Sequence, residues 1–171
     1  MSSLWHPFAW LWVMVLIGFA GQSKGPDTVE AEDLLRQTGT VVSDLLASGK
    51  EAVLGKAGFH PPIYLCYGPY RIFEPGRHKI HFFMRLKGPP QADNKKEVAL
   101  IEVATDMGKR IFEKRRVSVQ DLSLDKYRPI DLTFNIPFRF ELGYRVKFLG
   151  KVDLLIDRME VVDSQGMEGE I

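Results

Sequence analysis

The stretch that most constrains the fold is residues 138–148, in which apolar and polar side chains alternate. The apolar positions are Phe138, Phe140, Leu142, Tyr144, Val146 and Phe148, and the others are Arg139, Glu141, Gly143, Arg145 and Lys147. Period-two alternation is typical of a β-strand with one buried face, whereas a helix would scatter these apolar residues around its axis. Because six large side chains need a second layer to cover them, the stretch predicts a sheet packed against another sheet.

Further strands are predicted from the same alternation and from the turn residues between strands. They cover residues 67–73, 78–86, 97–105, 110–119, 129–136 and 152–162. The inward residues of two of them are expected to be Ile80, Phe82, Met84 and Leu86, and Ile130, Leu132, Phe134 and Ile136. A short strand is predicted over 28–35, with a helical turn over 30–37 as the alternative, whereas 41–46 and 51–54 are ambiguous. Short strands without helical segments between them predict an all-β fold, a two-sheet antiparallel β-sandwich of the jelly-roll type.

The composition excludes several classes of function. The 171 residues suffice for one domain, and 23 basic against 22 acidic residues argue against nucleic acid or an anionic membrane as the main partner. Cys66 is the only cysteine, so the chain has no intrachain disulfide and no cysteine-built zinc site. Since Cys66 lies in an apolar run, we expect it to be a buried hydrophobic residue rather than a nucleophile.

The amino terminus has the features of an export signal. Residues 8–20 are continuously apolar but shorter than the roughly 20 residues of a transmembrane helix. Gly18 and Ala20 are spaced for cleavage after Ala20, although no Lys or Arg precedes the run, and an uncleaved anchor, the only membrane contact expected, stays the alternative. We expect a signal or anchor at 1–20, a linker at 21–27, the sandwich at 28–162 and a polar tail at 163–171, in an exported protein of the periplasm, cell envelope or extracellular space.

Four short motifs, in this order, carry a family resemblance. They are Val-Glu-Ala-Glu-Asp at 29–33, Gly-Pro-Tyr at 68–70, Pro-Gly-Arg-His-Lys-Ile at 75–80 and Val-Asp-Leu-Leu-Ile-Asp-Arg-Met-Glu at 152–160. Their order and spacing over residues 28–162 resemble the calcium-stapled, galactose-binding-like carbohydrate-binding modules of families six and thirty-five. The resemblance implies a galactose-binding-like jelly roll and a non-catalytic, glycan-binding function.

The resemblance also implies a structural calcium ion. Carried over to this sequence, the side-chain ligands are Glu30, Glu32 and Asp157, with Asp33 and Asp153 as possible substitutes. Ca²⁺ takes six to eight hard oxygen ligands, and carboxylates two apart on a strand share a face. The alternative is a solvated acidic strand edge without a metal.

Sugar binding in this family uses aromatic faces, either in loops at one end of the sandwich or on its concave face. The candidates are Tyr64, Tyr67, Asn94 and Tyr127, because sugar C–H groups pack on an aromatic plane while hydroxyls reach polar side chains. All three tryptophans, at positions 5, 10 and 12, precede the predicted cleavage point, so tyrosines would have to stack on the sugar. Tyr70 and Tyr144 are expected to face the core.

Other chemistry finds little support in the sequence. His78 and His81 are three apart on a predicted strand, hence on opposite faces rather than a metal pair. No Gly-x-Ser-x-Gly, His-Glu-x-x-His or phosphate-binding glycine loop occurs, and a glycosidase carboxylate pair would need a cleft for which a lone sandwich has little room. The second hypothesis is a structural or protein-interaction domain of the cell envelope, which packs through the face of Arg139, Arg145 and Lys147 or through residues 114–116. The sugar and the oligomeric state stay open.

Overall fold

The computed structural model describes residues 27–90, 93, 95–105 and 108–163, and these form two antiparallel β-sheets. The predicted signal segment, Asn94 and the polar tail after Asp163 lie outside the described residues. In the described part of the chain no helix is long and apolar enough to cross a membrane. Within the described residues the first strand, β1, begins at Asp27 and the last strand, β10, ends at Asp163.

Among the described residues, ten strands make up the two sheets. The larger sheet has the order β2-β3-β10-β5-β8, with β1 also paired to β10, and the four-stranded sheet has the order β4-β9-β6-β7. The bounds are β1 Asp27–Glu30, β2 Thr40–Ser43, β3 Glu51–Gly55, β4 Tyr64–Phe73, β5 Gly76–Leu86, β6 Glu97–Thr105, β7 Arg110–Ser118, β8 Arg128–Ile136, β9 Phe140–Phe148 and β10 Leu154–Asp163. The predicted two-sheet antiparallel β-sandwich is confirmed.

Side chains from the inner faces of both sheets form one core. The ring of Phe82 on β5 meets the ring of Tyr144 on β9 edge-to-face, with 6.5 Å between centroids. The inward residues predicted on β5 and β8 are all buried, and so are Leu142, Tyr144, Val146 and Phe148 on β9. Alternation therefore identified the core face of the strands that bury one side.

The start of β9 differs from the prediction. Phe138 was expected on the buried face, but its side chain is 70% exposed because β9 begins only at Phe140. Phe138 belongs to the connection that follows β8, where Pro137 interrupts the strand pattern. Alternation continues by chance through this connection, so it cannot by itself locate the first residue of a strand.

The amino-terminal segment is half strand and half turn. The strand predicted over 28–35 ends at Glu30, and a single 3₁₀ turn, Ala31–Asp33, follows it. A longer helical turn over 30–37 is not formed, since residue 34 is already extended and residue 35 forms a bridge to Tyr67. The two ambiguous stretches that follow pair with each other as β2 and β3.

The single cysteine and two of the histidines are placed as expected. Cys66 is fully buried, and its burial raises the pKa of the thiol to about 12, so it is not a nucleophile at neutral pH. His78 packs against the core ring of Phe134, whereas His81 faces outward and contacts Asp131 at 2.7 Å. The two imidazoles therefore lie on opposite faces of β5.

Candidate functional site

Two irregularities in β4 bring three tyrosines to one face. The pairing of β4 with β9 shifts between Tyr64 and Cys66, and again between Gly68 and Arg71. Residues three apart on a regular strand face opposite sides of the sheet. Each shift inserts one extra residue into β4, so residues three apart across a shift face the same side. Tyr64, Tyr67 and Tyr70 therefore all point away from the core, and Tyr70 is 36% exposed.

The expectation that Tyr70 faces the core is thus wrong. Period-two counting assumes an unbroken strand, and the second bulge breaks the strand just before Tyr70. Gly68 has a φ of +110°, a conformation that side chains other than glycine rarely adopt, and Pro69 follows it. A Gly-Pro pair inside a strand pattern is the sequence signal that could have indicated the bulge. Tyr144, in contrast, is buried as expected.

The strand register gives the neighbours of these tyrosines. Across the sheet, Tyr64 is followed by Lys147, Leu100 and Arg116, and Tyr67 is followed by Arg145, Glu102 and Lys114. Directly opposed residues point to the same side of a sheet. We call this surface the tyrosine face; its members are Tyr64, Tyr67 and Tyr70 on β4, Gly143, Arg145 and Lys147 on β9, Leu100, Glu102 and Ala104 on β6, and Lys114 and Arg116 on β7.

A buried ion pair forms the floor of the tyrosine face. Arg145 Nε donates to Glu102 Oε2 at 2.6 Å, and the two side chains are only 12% and 5% exposed. Tyr64 Oη donates to the same Glu102 oxygen at 3.1 Å, and its ring lies 4.6 Å from the Arg145 guanidinium carbon. Burial, and secondly the Glu102 charge, raise the pKa of the Tyr64 hydroxyl. These contacts fix the Tyr64 ring in place.

The other two tyrosines border a shallow depression beside this floor. Tyr67, Tyr70, Gly143 and Arg145 line it. The Tyr70 ring lies directly on Gly143, because a Cβ atom at position 143 would be 2.8 Å from Tyr70 Cε1. The rings of Tyr64 and Tyr67 meet edge-to-face at 6.4 Å, so neighbouring aromatic surfaces are presented along β4.

Tyr127 is not part of this surface. It packs against the small hydrophobic cluster of Ala47, Ala52, Leu54 and Leu155, and its hydroxyl donates to Asp44 Oδ2 at 2.6 Å. The Arg85 guanidinium lies over its ring at 5.3 Å and also pairs with Asp44. Burial opposes ionisation of Asp44, but the hydrogen bonds from Tyr127 and Arg85 outweigh it and lower the pKa of the carboxyl. The structure therefore brings together Tyr64 and Tyr67 but leaves Tyr127 in a structural cluster.

The carboxylates expected to bind calcium gather around the turn between β2 and β3. Ser48 Oγ lies 2.8 Å from Glu30 Oε2 and 2.9 Å from Asp157 Oδ1, and Ser48 N donates to Asp157 Oδ1 at 2.9 Å. Arg158 contacts the other oxygen of Asp157. Glu32 approaches the same turn, since a Cβ atom at Gly49 would lie 3.0 Å from Glu32 Oε1.

One oxygen of this cluster lacks a partner. Glu32 Oε2 is buried and has no hydrogen bond to any described residue. Burial raises the pKa of Glu32, and the charges of Glu30, Asp33 and Asp157 raise it further. Hard carboxylate oxygens around one unpartnered atom fit Ca²⁺ as a donor set. As arranged, however, the described side chains contain no group of three or more His, Cys, Asp or Glu residues positioned to hold a metal ion. Ser48 and Arg158 engage the two oxygens of Asp157.

A second concavity lies at one end of the sandwich. It has a volume of about 370 Å³, and Lys56, Lys151, Asp153 and the segment 88–90 contribute to its lining. Asp153 Oδ1 accepts a hydrogen bond from Ala57 N at 2.8 Å, so this carboxylate belongs to the loop end rather than to the acidic cluster. No aromatic ring is among the described residues that line this cavity. The tyrosine face is therefore the stronger candidate for a stacking ligand.

Comparison with known proteins identifies the fold. No protein-family model matches the sequence, and no curated protein matches it. The C-terminal CBM6 of a marine laminarinase from Zobellia galactanivorans is similar in structure, with a TM-score of 0.53 and 13% identity over 81% of this chain and 99% of that one. The chain has the fold of a carbohydrate-binding module.

Two further solved structures are similar to the same extent. The module CBM6cm-2 of lichenase 5A from Cellvibrio mixtus, solved with cellotriose, has a TM-score of 0.55 and 10% identity over 80% of this chain and 96% of that one. CsCBM6-3 from Clostridium stercorarium, solved with cellobiose, has a TM-score of 0.51 and 13% identity over 80% and 93%. At these identities the likeness establishes the fold, and the ligand has to be argued from the residues of this chain.

Proposed function

We propose that the protein is a non-catalytic carbohydrate-binding module that binds glycans on the tyrosine face. The observation that carries the proposal is the alignment of Tyr64, Tyr67 and Tyr70 on one outward face of β4. Aromatic planes stack on the C–H faces of sugar rings, so a row of tyrosines on one face offers a platform for a glycan chain. The common fold with modules solved in complex with cellotriose and cellobiose supports this function.

The test is a glycan-array screen of residues 21–171, followed by calorimetric titration of the best oligosaccharide. We expect Tyr67→Ala and Tyr70→Ala each to weaken binding at least tenfold, equivalent to about 1.4 kcal/mol. Phe59→Ala is the matched control, because Phe59 is 73% exposed but lies in the loop between β3 and β4. An equal loss of glycan affinity in all three variants would contradict binding on the tyrosine face. An array on which no glycan binds would favour the interaction-domain alternative.

We also propose that Ca²⁺ binds at the turn between β2 and β3. Glu30, Glu32 and Asp157 would hold it, with the unpartnered Glu32 Oε2 as one ligand atom and a small shift of Ser48 opening the site. Burial first, and then repulsion by the neighbouring carboxylates, raise the pKa of Glu32, and a bound divalent cation would offset both effects and would tie β1 to β10.

Calorimetric unfolding of calcium-loaded and chelator-treated protein tests this second proposal. Saturating Ca²⁺ should raise the midpoint, because a ligand that binds only the folded state stabilises it by mass action, about 2.7 kcal/mol at a hundredfold excess over Kd. Glu32→Gln should remove the calcium-dependent increment, whereas Glu113→Gln, at an exposed position on β7, should retain it. An unchanged midpoint in the original protein would refute the calcium site.

Export is the remaining part of the proposal. We propose that residues 1–20 direct the chain out of the cytoplasm and are removed after Ala20. The intact mass of protein recovered from the periplasm or medium of the native host tests it. A mass that includes the first 20 residues would indicate an uncleaved anchor instead.

A further inference from the structure

The charged residues of the tyrosine face are distributed unevenly. Its cations are Lys147 and Arg145 on β9 and Lys114 and Arg116 on β7, whereas Glu102 and Glu97 are the carboxylates in contact with them. Four cations against two carboxylates leave an excess of two positive charges on this surface. The whole chain, in contrast, has a formal net charge of only +1. The positive excess is therefore concentrated beside the tyrosines.

Two of these cations are already neutralised. Arg145 pairs with the buried Glu102, and the exposed Arg116 pairs with Glu97. Lys114 and Lys147 have no acidic partner within the described ranges of the chain. Lys147 lies directly opposite Tyr64, and Lys114 lies on the far side of Glu102 from Tyr67. The free charge thus flanks the aromatic row on two strands.

The nearest outward carboxylate along β9 does not cancel this charge. Glu141 lies on the same side of the sheet but beyond Gly143, opposite Ile72. It is six residues from Lys147, which corresponds to roughly 20 Å along a strand. A ligand seated on Tyr64 and Tyr67 would therefore meet the lysines and not Glu141.

We propose that the tyrosine face selects acidic glycans, in which sugar rings stack on the tyrosines while carboxylate or sulfate groups contact Lys114 and Lys147. This inference rests on the proposed function and specifies its class of ligand. A neutral glycan gains little from an exposed ammonium group that stays hydrated, whereas an anionic group gains a screened but favourable ion pair. The distance from β4 to β7 is three strand spacings, about 14 Å, so the ligand extends across the strands rather than along β4 alone.

Matched polysaccharides test the proposal. One arm compares polygalacturonate with the same polymer after methyl esterification, and the other compares a sulfated galactan with its desulfated form. In both arms we expect the charged polymer to bind at least tenfold more tightly at low salt. This advantage should shrink when NaCl rises from about 50 to about 300 mM, because exposed charges are screened over the Debye length. The arm with the larger effect distinguishes carboxylate from sulfate.

Lysine variants connect the preference to the surface. The double variant Lys114→Gln/Lys147→Gln should lose roughly tenfold in affinity for the acidic polymer and leave affinity for the neutral form unchanged. The control is Lys56→Gln/Lys151→Gln, which removes the same charge at the loop-end cavity. Both pairs are exposed or partly exposed, so neither change should affect folding.

Each other outcome counts against the inference in a defined way. Equal affinity for charged and neutral polymers, with loss in Tyr67→Ala, would refute the acidic preference while the proposed function stands. If only the control variant Lys56→Gln/Lys151→Gln lost affinity for the acidic polymer, the anion would bind at the loop-end cavity and the inference would be overturned. Equally tight binding of a single-stranded oligonucleotide would make the lysines a non-specific anion site and overturn it too. Absence of binding to every glycan would refute the function and the inference together.

Discussion

Gly143 is the residue on which the shape of the tyrosine face depends most directly. Its missing side chain leaves the space that the Tyr70 ring occupies, so Gly143→Ala must displace that ring. We expect a several-fold loss of glycan affinity with a stability cost of about 1 kcal/mol, the low end for overpacking because the Tyr70 ring is 36% exposed, measured by titration and by urea unfolding. Gly88→Ala is the control, because nothing lies within 4 Å of a Cβ atom there. Equal affinity of both variants would mean that Tyr70 does not contact the ligand.

Glu32 makes stability depend on pH in an unusual direction for a carboxylate. Its pKa is raised in the folded state, so the folded protein binds its proton more tightly than the unfolded chain does. The resulting stabilisation is fully present below the unfolded pKa, roughly pH 4.5, and is lost as the pH rises through the folded pKa. In chelator at pH 7, Glu32→Gln should therefore raise the unfolding midpoint.

The increase in unfolding midpoint caused by Glu32→Gln should disappear as the medium is acidified, because Glu32 is then protonated in both the folded and the unfolded state. Glu113→Gln, which removes an exposed carboxylate on β7, should show neither effect in the same calorimetric series. A lower midpoint for Glu32→Gln at neutral pH would mean that the carboxylate of Glu32 has a stabilising partner among the residues around it.

At the scale of elements, the Arg145–Glu102 pair joins β9 to β6. Removing one member of a buried ion pair typically costs about 3–5 kcal/mol, because the remaining charge is left without a partner. We expect Glu102→Ala to lose about that much in urea unfolding and the double variant Glu102→Met/Arg145→Met to recover most of it. Removing Glu97, the partner of exposed Arg116, should cost about 1 kcal/mol or less. Similar losses of stability on removal of Glu97 and of Glu102 would contradict the burial of the Arg145–Glu102 pair.

The strands also explain which parts of the fold could be predicted from the sequence. In β5, β8 and β9 one face is buried and the other is solvated, so alternation alone identified the core residues. In β4 the two bulges change which positions share a face, and a pattern of fixed period cannot follow that change. The parity rule therefore worked for strands without bulges and misassigned Tyr70.

The candidate site was predictable only in part for a similar reason. Tyr64 and Tyr67 were identified by residue type and by the family resemblance. The Arg145–Glu102 contact joins residues 43 apart in the sequence, and it depends on the register between β6 and β9. Register is fixed by the packing of whole strands, so no local motif indicates which charges will meet.

At the scale of the whole molecule, both sheets contribute to one hydrophobic core. The core extends from Ala31, just after β1, to Val161 near the end of β10. β1 pairs with β10 in the larger sheet, and Asp27 on β1 contacts Arg71 near the end of β4 in the four-stranded sheet. A core that spans both sheets should unfold as one cooperative unit.

This continuity predicts that residues 27–163 fold without the flanking segments. The truncated chain keeps every strand and core residue of the part that the structure describes, so we expect a single calorimetric transition with a midpoint within a few degrees of that of residues 21–171. The matched comparison begins at residue 31 and removes β1. Its loss of the pairing with β10 and of the Glu30 carboxylate should lower the midpoint and abolish any response to Ca²⁺. If the 27–163 chain instead melted in two steps or well below 21–171, segments outside the sandwich would have to contribute to its core.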